Sequence, residues 1–196
     1  MRNEPILKVS RLMKRYGFGC VHCETIETAI LEKNICPACE TVYACRNISF
    51  DLFEGEILGI VGESGSGKST LMKCLYFDEE VTSGEAFINR YECENIFSMS
   101  KQQQRFIRNH LLGMVYQNPM LGLKMDFSSV GNIAEKLIAA GDRKVEQMEA
   151  VSRALLKHVH IPISRMKDEP KKFSGGMQQR VQIAKALSNN PPILLL

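Results

Sequence analysis

EILGIVGESGSGKST, residues 56–70, joins an apolar run to a glycine-rich turn and then to the start of a helix. The run Glu56–Val61 is typical of a buried strand in a mostly parallel sheet, because both faces of such a strand are covered. Residues Ser69 to Leu75 fit a helix that begins directly after the turn. This order of strand, turn and helix predicts an α/β fold with a tight loop between the strand and the helix.

The glycine-rich turn has the composition of a phosphate-binding loop. Gly62, Gly65 and Gly67 let the backbone turn its N–H groups inward around an anion, and the positive end of the following helix faces the same point. Lys68 can reach the β- and γ-phosphates, and the Ser69 hydroxyl can ligate the Mg²⁺ that accompanies a nucleoside triphosphate. The alternative is a turn that binds nothing, but the flanking strand and helix favour the phosphate site.

The composition is that of a globular protein with one main domain. The chain has 196 residues, 44% of them hydrophobic and 24% charged, enough for one core or one core plus a small appendage. A net charge of +3 is too small to indicate nucleic-acid binding. The start, MRNEPILKVSR, has neither the pattern of a signal peptide nor that of a spanning helix, so a cytoplasmic location is expected.

A second glycine-containing helix start is FSGGMQQR, residues 173–180. Ser174 is a candidate N-cap, and Met177, Val181 and Ala184 repeat at helical spacing after it. A Ser-Gly-Gly triplet alone is a weak signal, since most such triplets are only turns. Together with the phosphate loop, it predicts a second anion-binding site.

With these two helix starts, the chain resembles the nucleotide-binding subunits of the ATP-binding cassette family. GESGSGKST is similar to the family's phosphate loop, FSGGMQQR to its signature, and MVYQNP to the segment that carries its glutamine, here Gln117. Tyr16 is similar in position to the aromatic residue that stacks on adenine. The resemblance implies that residues 1–196 form one α/β P-loop domain with an antiparallel β portion and a helical subdomain at residues 120–170.

The ligands that the resemblance implies are ATP and Mg²⁺. Lys68 and Gln117 have the implied catalytic roles, and Ser69 and Gln117 are the implied contacts to magnesium. The implied ATP contacts combine the aromatic residue, the phosphate loop, the glutamine and the signature: Tyr16, Gly62, Glu63, Ser64, Gly65, Ser66, Gly67, Lys68, Ser69, Thr70, Gln117, Ser174, Gly175, Gly176 and Gln178.

The resemblance also implies a partner cassette, which can be a second copy or a different subunit. Two cassettes meet head to tail in this family, so that Ser174, Gly175, Gly176 and Gln178 of one contact the γ-phosphate that Lys68 of the other holds. The helix start at Gly175 supplies N–H donors and a positive dipole for such a contact.

Within the family, three segments are most similar to the ATP-binding subunits of phosphonate carbon–phosphorus lyase systems: residues 57–73, 113–143 and 161–187. This similarity implies an ATPase subunit docked on a soluble lyase core. The alternative is the ATP-binding subunit of a peptide or nickel importer, which docks on a membrane permease at the inner face of the membrane. Co-purifying partners would distinguish the two.

A third hypothesis is a nucleotide-binding module that does not hydrolyse ATP. Residues Ile193–Leu196 are predicted to form a buried parallel strand. In the family this strand leads into an Asp-Glu pair that serves magnesium and the attacking water, and here the sequence stops before that pair. A truncated chain with little hydrolysis is therefore expected.

Four of the seven cysteines form two pairs, Cys20-x2-Cys23 and Cys36-x2-Cys39, separated by twelve residues. This spacing is close to that of zinc ribbons, and a closed shell of four thiolates suits structural zinc best. A redox-active pair would normally open a helix in a thioredoxin-like unit, and that context is not evident. An iron–sulfur cluster is a minor alternative.

The cysteine segment, residues 17–46, is predicted to be an insertion between two strands, Ile6–Arg11 and Asn47–Leu52. Its few apolar residues cannot form an independent core, so a metal ion would supply the folding energy. This insertion departs from the usual cassette pattern. It predicts a metal-pinned element beside the adenine site, for docking or rigidity.

Overall fold

The computed structural model describes residues 4–25, 34–89, 91 and 94–196. The chain divides into two compact units after Gln104. Residues 26–33 of the predicted zinc-ribbon-like insertion lie outside the described part. In that part, no helix combines the length and the apolar composition that a bilayer crossing requires.

The first unit is built on a three-stranded antiparallel sheet of β1 (Leu7–Tyr16), β2 (Val42–Leu52) and β3 (Ser83–Ile88), in the order β2-β1-β3. β1 and β2 pair from Leu7 opposite Leu52 to Tyr16 opposite Val42, with register shifts between Val9 and Arg15. The expected antiparallel β portion is therefore present, with β1 and β2 longer than predicted.

Two complete helices lie among the described residues of the first unit. A short helix, α1 (Val21–Thr25), follows the first cysteine, and α2 (Lys68–Leu75) follows the glycine-rich loop as expected. Leu71, Cys74 and Leu75 are the buried residues of α2. Because these positions recur at helical spacing, one face of α2 packs inward while the other remains polar.

The run Glu56–Val61 is not a strand, which corrects the prediction. Ile57 and Val61 are 97% and 93% exposed. An apolar run becomes a strand only where neighbouring strands supply hydrogen-bond partners on its edges. The two sheets that the described residues form, β2-β1-β3 and the parallel pair of Leu112–Met114 with Ile193–Leu195, do not include this run.

The second unit contains a parallel strand pair and a set of helices. β4 (Leu112–Met114) pairs with β5 (Ile193–Leu195), with Leu112 opposite Ile193. The predicted parallel strand at Ile193–Leu196 is thus confirmed to within one residue. α3 (Lys101–His110) precedes β4, and its residues up to Gln104 belong to the first unit.

Besides the end of α3, the helices of the second unit are α4 (Pro119–Gly122), α5 (Ser129–Ala139), α6 (Val145–His158) and α7 (Gly175–Leu187). Single turns of 3₁₀ helix lie at Ile163–Arg165 and Pro170–Lys172. The helices pack around a core whose fully buried members include Ile133, Leu156 and Val181. This core holds the signature helix α7 against α5 and α6.

Candidate functional site

The phosphate-binding loop, residues 62–67, lies at the start of α2, with residues 62–66 exposed and Gly67 half-buried. Gly65 and Gly67 have φ angles of +83° and +91°, which an L side chain rarely adopts. A Cβ at Gly67 would also collide with the carbonyl oxygen of Ala44 on β2. Glycine is therefore required at this position for two reasons, because of the backbone conformation and because β2 approaches closely.

The Lys68 ammonium is held by the loop that precedes it. Its Nζ donates to the carbonyl oxygens of Gly62 at 2.8 Å and Glu63 at 2.7 Å, and contacts Ser66 Oγ at 3.3 Å. These bonds place a positive charge over the loop before an anion arrives. Because they use neutral acceptors, a phosphate can displace them with a gain in charge–charge attraction.

Tyr16 ends β1, directly opposite Val42 of β2. Its side chain is 43% exposed, and Lys14 Nζ lies 4.8 Å from the ring centroid. The Lys14 ammonium is itself fixed by the Glu80 carbonyl oxygen at 2.8 Å. Tyr16 thus keeps a solvent-accessible aromatic surface on the unit that carries the phosphate loop.

The signature, in the second unit, presents an exposed helix start. Ser174, Gly175 and Gly176 are exposed, and Ser174 has the extended backbone of an N-cap without a side-chain capping hydrogen bond. Gln178 instead turns its amide back, donating from Nε2 to the carbonyl oxygens of Pro170 at 3.0 Å and Phe173 at 3.3 Å. The first N–H groups of α7 are the donors that this site can offer to an anion.

Gln117 follows β4 and is exposed, while its neighbour Tyr116 is anchored by α7. Gln182 makes two hydrogen bonds to the Tyr116 backbone: its Nε2 donates to the carbonyl oxygen at 2.9 Å, and its side-chain oxygen accepts from the N–H at 3.0 Å. Gln179 Nε2 donates to the same carbonyl oxygen at 3.3 Å. The structure therefore brings the segment of Gln117 and the signature helix together.

Sequence reasoning missed Gln182, which is 1% exposed. One sequence feature could have revealed it. Gln182 is an amide residue directly after the buried Val181 and four positions after Gln178, on a helix where the neighbouring positions are apolar. A buried glutamine requires hydrogen-bond partners, so such a position predicts a specific contact. It does not predict which backbone segment supplies that contact.

The four cysteines of the two pairs converge on one point in the first unit. The sulfur atoms of Cys20, Cys23, Cys36 and Cys39 all lie within 4.8 Å of one another. Two of the separations, 3.9 Å for Cys20–Cys36 and 3.8 Å for Cys23–Cys39, match the edge of about 3.8 Å of a tetrahedron with Zn–S bonds of about 2.3 Å. The cluster has room for one ion and is too tight for several irons with bridging sulfides.

The thiols of this cluster differ in acidity. The Thr41 hydroxyl, at 3.2 Å from Cys39 Sγ, and the Thr41 backbone N–H hold the pKa of Cys39 at about 6. A backbone hydrogen bond of Cys23 lowers the pKa of Cys20, but the Cys39 sulfur, burial and the other two sulfurs together raise it to about 11. Several thiolates cannot share so small a volume unless a cation compensates their charge.

Comparison with known proteins identifies the class. The chain belongs to the ABC transporter family, whose model matches residues 45–196. It has the fold of an ABC nucleotide-binding domain of the P-loop NTPase type, as predicted. ATP binding by this domain follows from the family.

One curated relative is the phosphonates utilization ATP-binding protein PhnK of Escherichia coli (strain K12). It is 42% identical over 150 residues, which are 76% of this chain and 58% of that protein. The chain thus spans 58% of the length of this relative.

Solved structures with the same fold include two dimeric forms of the ATP-binding cassette MJ0796, one of them in a post-hydrolysis state bound to ADP and Pi. Each is 28% identical and covers 96% of this chain and 72% of the other, with TM-scores of 0.77 and 0.78. CbiO1 from Clostridium perfringens, part of the transporter complex cbiONQ, has a TM-score of 0.68 at 21% identity, covers 98% of this chain and 64% of its own, and supports the fold alone.

Proposed function

We propose that this protein is the ATP-hydrolysing subunit of a phosphonate-utilisation system. The observation that carries the proposal is a phosphate loop with Lys68 held over it, in a chain that is 42% identical to PhnK over 150 residues. The chain spans 58% of that relative, so hydrolysis by the whole protein is part of the proposal.

The proposed roles of the site residues follow from their chemistry. Lys68 and the N–H groups of residues 62–67 bind the β- and γ-phosphates, Ser69 and Gln117 contact Mg²⁺, and Tyr16 stacks on adenine. Lys68 stabilises the charge that develops on the transferred phosphoryl group, and Gln117 orients the attacking water and the metal.

The signature is proposed to act on the nucleotide of a second cassette. Ser174, Gly175, Gly176 and Gln178 would face the γ-phosphate that the partner cassette holds, with residues 120–170 as the helical subdomain that carries them. Two observations support this role: the free helix start at Ser174, and the dimeric state of the related MJ0796 structures. The partner can be a second copy of this chain or a different cassette.

The proposed partner complex is a soluble carbon–phosphorus lyase core in the cytoplasm, with no role for nucleic acid. The similarity to PhnK supports it. A peptide- or nickel-type importer, with a permease at the inner face of the membrane, is the second candidate, since its cassettes share the same motifs. Affinity purification of the tagged protein from its own cells tests this choice: soluble lyase subunits support the first, and a partner with spanning helices supports the second.

Nucleotide binding itself is tested by Lys68→Ala, with Lys73→Ala on the same helix as the matched control. Titration with a fluorescent ATP analogue in the presence of Mg²⁺ should show loss of binding for Lys68→Ala and no change for Lys73→Ala. Unaltered affinity in Lys68→Ala would contradict the assignment of the loop.

We further propose that zinc occupies the four-cysteine cluster and that residues 17–46 form a zinc-ribbon-like insertion. The two sulfur–sulfur separations of 3.8 and 3.9 Å support a single tetrahedral ion. Elemental analysis of purified protein should find about one zinc per chain, and Cys36→Ser should lose it. Iron in place of zinc would show that the site holds a metal but that the metal is not zinc. Less than half an equivalent of any metal per chain would refute the site.

A further inference from the structure

The four-cysteine cluster is attached to the first residues of β2 through Thr41. The Thr41 hydroxyl accepts from the Gly19 N–H at 3.1 Å and from Cys39 Sγ at 3.2 Å. The Thr41 carbonyl oxygen accepts from the Cys36 N–H at 2.9 Å. Thr41 is 2% exposed, so this one buried residue joins both cysteine turns to β2.

A second residue, two positions further along the chain, also connects the cysteine turns to β2. The Tyr43 hydroxyl donates to the Cys23 carbonyl oxygen at 3.4 Å, and the Tyr43 N–H donates to the Asn34 carbonyl oxygen at 2.8 Å. Tyr43 is buried together with Cys23 and Cys36. Thr41 and Tyr43 therefore connect the start of β2 to both cysteine turns.

The next residues of β2 contact the phosphate loop. The Ala44 carbonyl oxygen lies where a Cβ of Gly67 would be, and Cys45 Sγ contacts the Gly67 carbonyl oxygen at 3.7 Å. That carbonyl oxygen also accepts the first helical hydrogen bond of α2, from the Leu71 N–H at 2.9 Å. Because this contact has no spare room, the loop at Gly67 cannot shift independently of β2.

Only three residues of extended strand, 42–44, separate Thr41 from Cys45, a span of about 13 Å between the two ends. Val42, the first of them, is also the partner of Tyr16 in the sheet. The same short strand segment thus contacts the cysteine cluster, the proposed adenine-stacking residue and the phosphate loop.

From these contacts we propose that metal binding at the cysteine cluster and nucleotide binding at the phosphate loop are energetically linked through residues 41–45, so that each ligand tightens the other. The inference rests on the zinc site proposed above. A bound ion fixes both cysteine turns, which fixes Thr41 and β2, and the loop then needs less ordering to receive a phosphate. Linkage is reciprocal, so ATP must raise zinc affinity by the factor by which zinc raises ATP affinity.

The test uses the full chain loaded with zinc. A chromogenic chelator competes for the zinc with and without Mg²⁺ and ATP, and a fluorescent ATP analogue is titrated with and without prior zinc removal by a zinc-selective chelator. We expect both affinities to change by the same factor, at least about fivefold, as is typical of coupled sites. The chelator competition starts from zinc-loaded protein, so it remains informative if the metal-free chain unfolds.

Three variants separate the possible causes. Lys68→Ala should keep its zinc and lose the effect of ATP, which also corrects for zinc bound by ATP itself. Thr41→Val removes the joining hydroxyl but keeps all four cysteines, and it should lower the coupling factor towards one. Cys74→Ala, at a buried cysteine outside the cluster, should keep both zinc and coupling.

The outcomes are distinguishable. If zinc binds and ATP binds but neither affinity shifts by as much as twofold, the linkage is refuted while both proposed sites stand. If no metal binds, the zinc site and the linkage both fail, and the phosphate loop is unaffected. Equal coupling in Thr41→Val and the unmodified chain would also overturn the inference, since the Thr41 hydroxyl would then not contribute to the coupling between zinc and ATP binding.

Discussion

The side-chain amide of Gln182 on α7 pairs with the backbone amide of Tyr116, donating at 2.9 Å and accepting at 3.0 Å. The two groups mimic a strand pairing, with a side chain in the place of the second strand. Because Tyr116 directly precedes Gln117, this pair sets where the segment of Gln117 leaves β4.

Replacing Gln182 by methionine should destabilise the protein. The methionine keeps a similar volume but leaves the Tyr116 N–H and carbonyl groups without this partner, at a cost of about 1–3 kcal/mol. Urea denaturation measures the free energy of unfolding. Gln179→Met is the matched control, since Gln179 makes one longer bond of 3.3 Å to the same oxygen; an equal loss in both variants would show that the pairing has no special role.

Gly122→Ala should destabilise the protein through the same glutamine. A Cβ at Gly122 would collide with the end of the Gln182 side-chain amide, and overpacking typically costs about 1–3 kcal/mol. In a Gln182→Ala background the collision is removed, so adding Gly122→Ala should cost much less. Urea denaturation of the four proteins of this cycle measures the coupling, and strictly additive effects would contradict the contact.

Gly67→Ala should abolish nucleotide binding and lower stability. Both the φ of +91° and the nearby Ala44 carbonyl oxygen oppose a side chain here, and the backbone strain alone is worth about 1–3 kcal/mol. Gly59→Ala is the control, because a Cβ at Gly59 has no atom within 4 Å and no positive φ. Titration with an ATP analogue and thermal unfolding should separate the two variants; equal behaviour would argue against the contact with β2.

Lys136 should make stability depend on pH in the alkaline range. Its Nζ donates to the carbonyl oxygens of Arg108 at 2.6 Å and Leu112 at 3.0 Å, and burial lowers its pKa to about 8. Between pH 8 and the ordinary lysine pKa near 10.5, the unfolded chain binds more protons, so the free energy of unfolding should rise with pH, by about 3 kcal/mol at most.

Urea denaturation at several pH values from 7.5 to 10.5 should detect this rise in the unmodified chain, a window of about three units set by the pKa of Lys136. In Lys136→Met, the free energy of unfolding should no longer show the part of the rise with pH that comes from this lysine. Lys157→Met, at an exposed lysine of α6, should retain it. A slope that is the same in all three proteins would contradict the pKa of Lys136.

The sequence alone was sufficient for features whose residues are close together in the chain. The loop at residues 62–70 and the strand at Ile193–Leu195 were predictable because spacing, glycine content and local hydrophobicity specify them. The two cysteine pairs could also be recognised from their spacing in the sequence, and the structure places their sulfurs within 4.8 Å of one another. Close spacing of this kind is typical of ligands that share one tetrahedral ion.

Tertiary structure decided what depends on long-range partners. The apolar run Glu56–Val61 reads as a strand, yet it pairs with neither sheet of the described residues, because hydrophobicity does not supply hydrogen-bond partners. The contacts of Gln182 with Tyr116 and of Ala44 with Gly67 join residues 66 and 23 positions apart. No local pattern encodes such pairs, since packing in three dimensions chooses them.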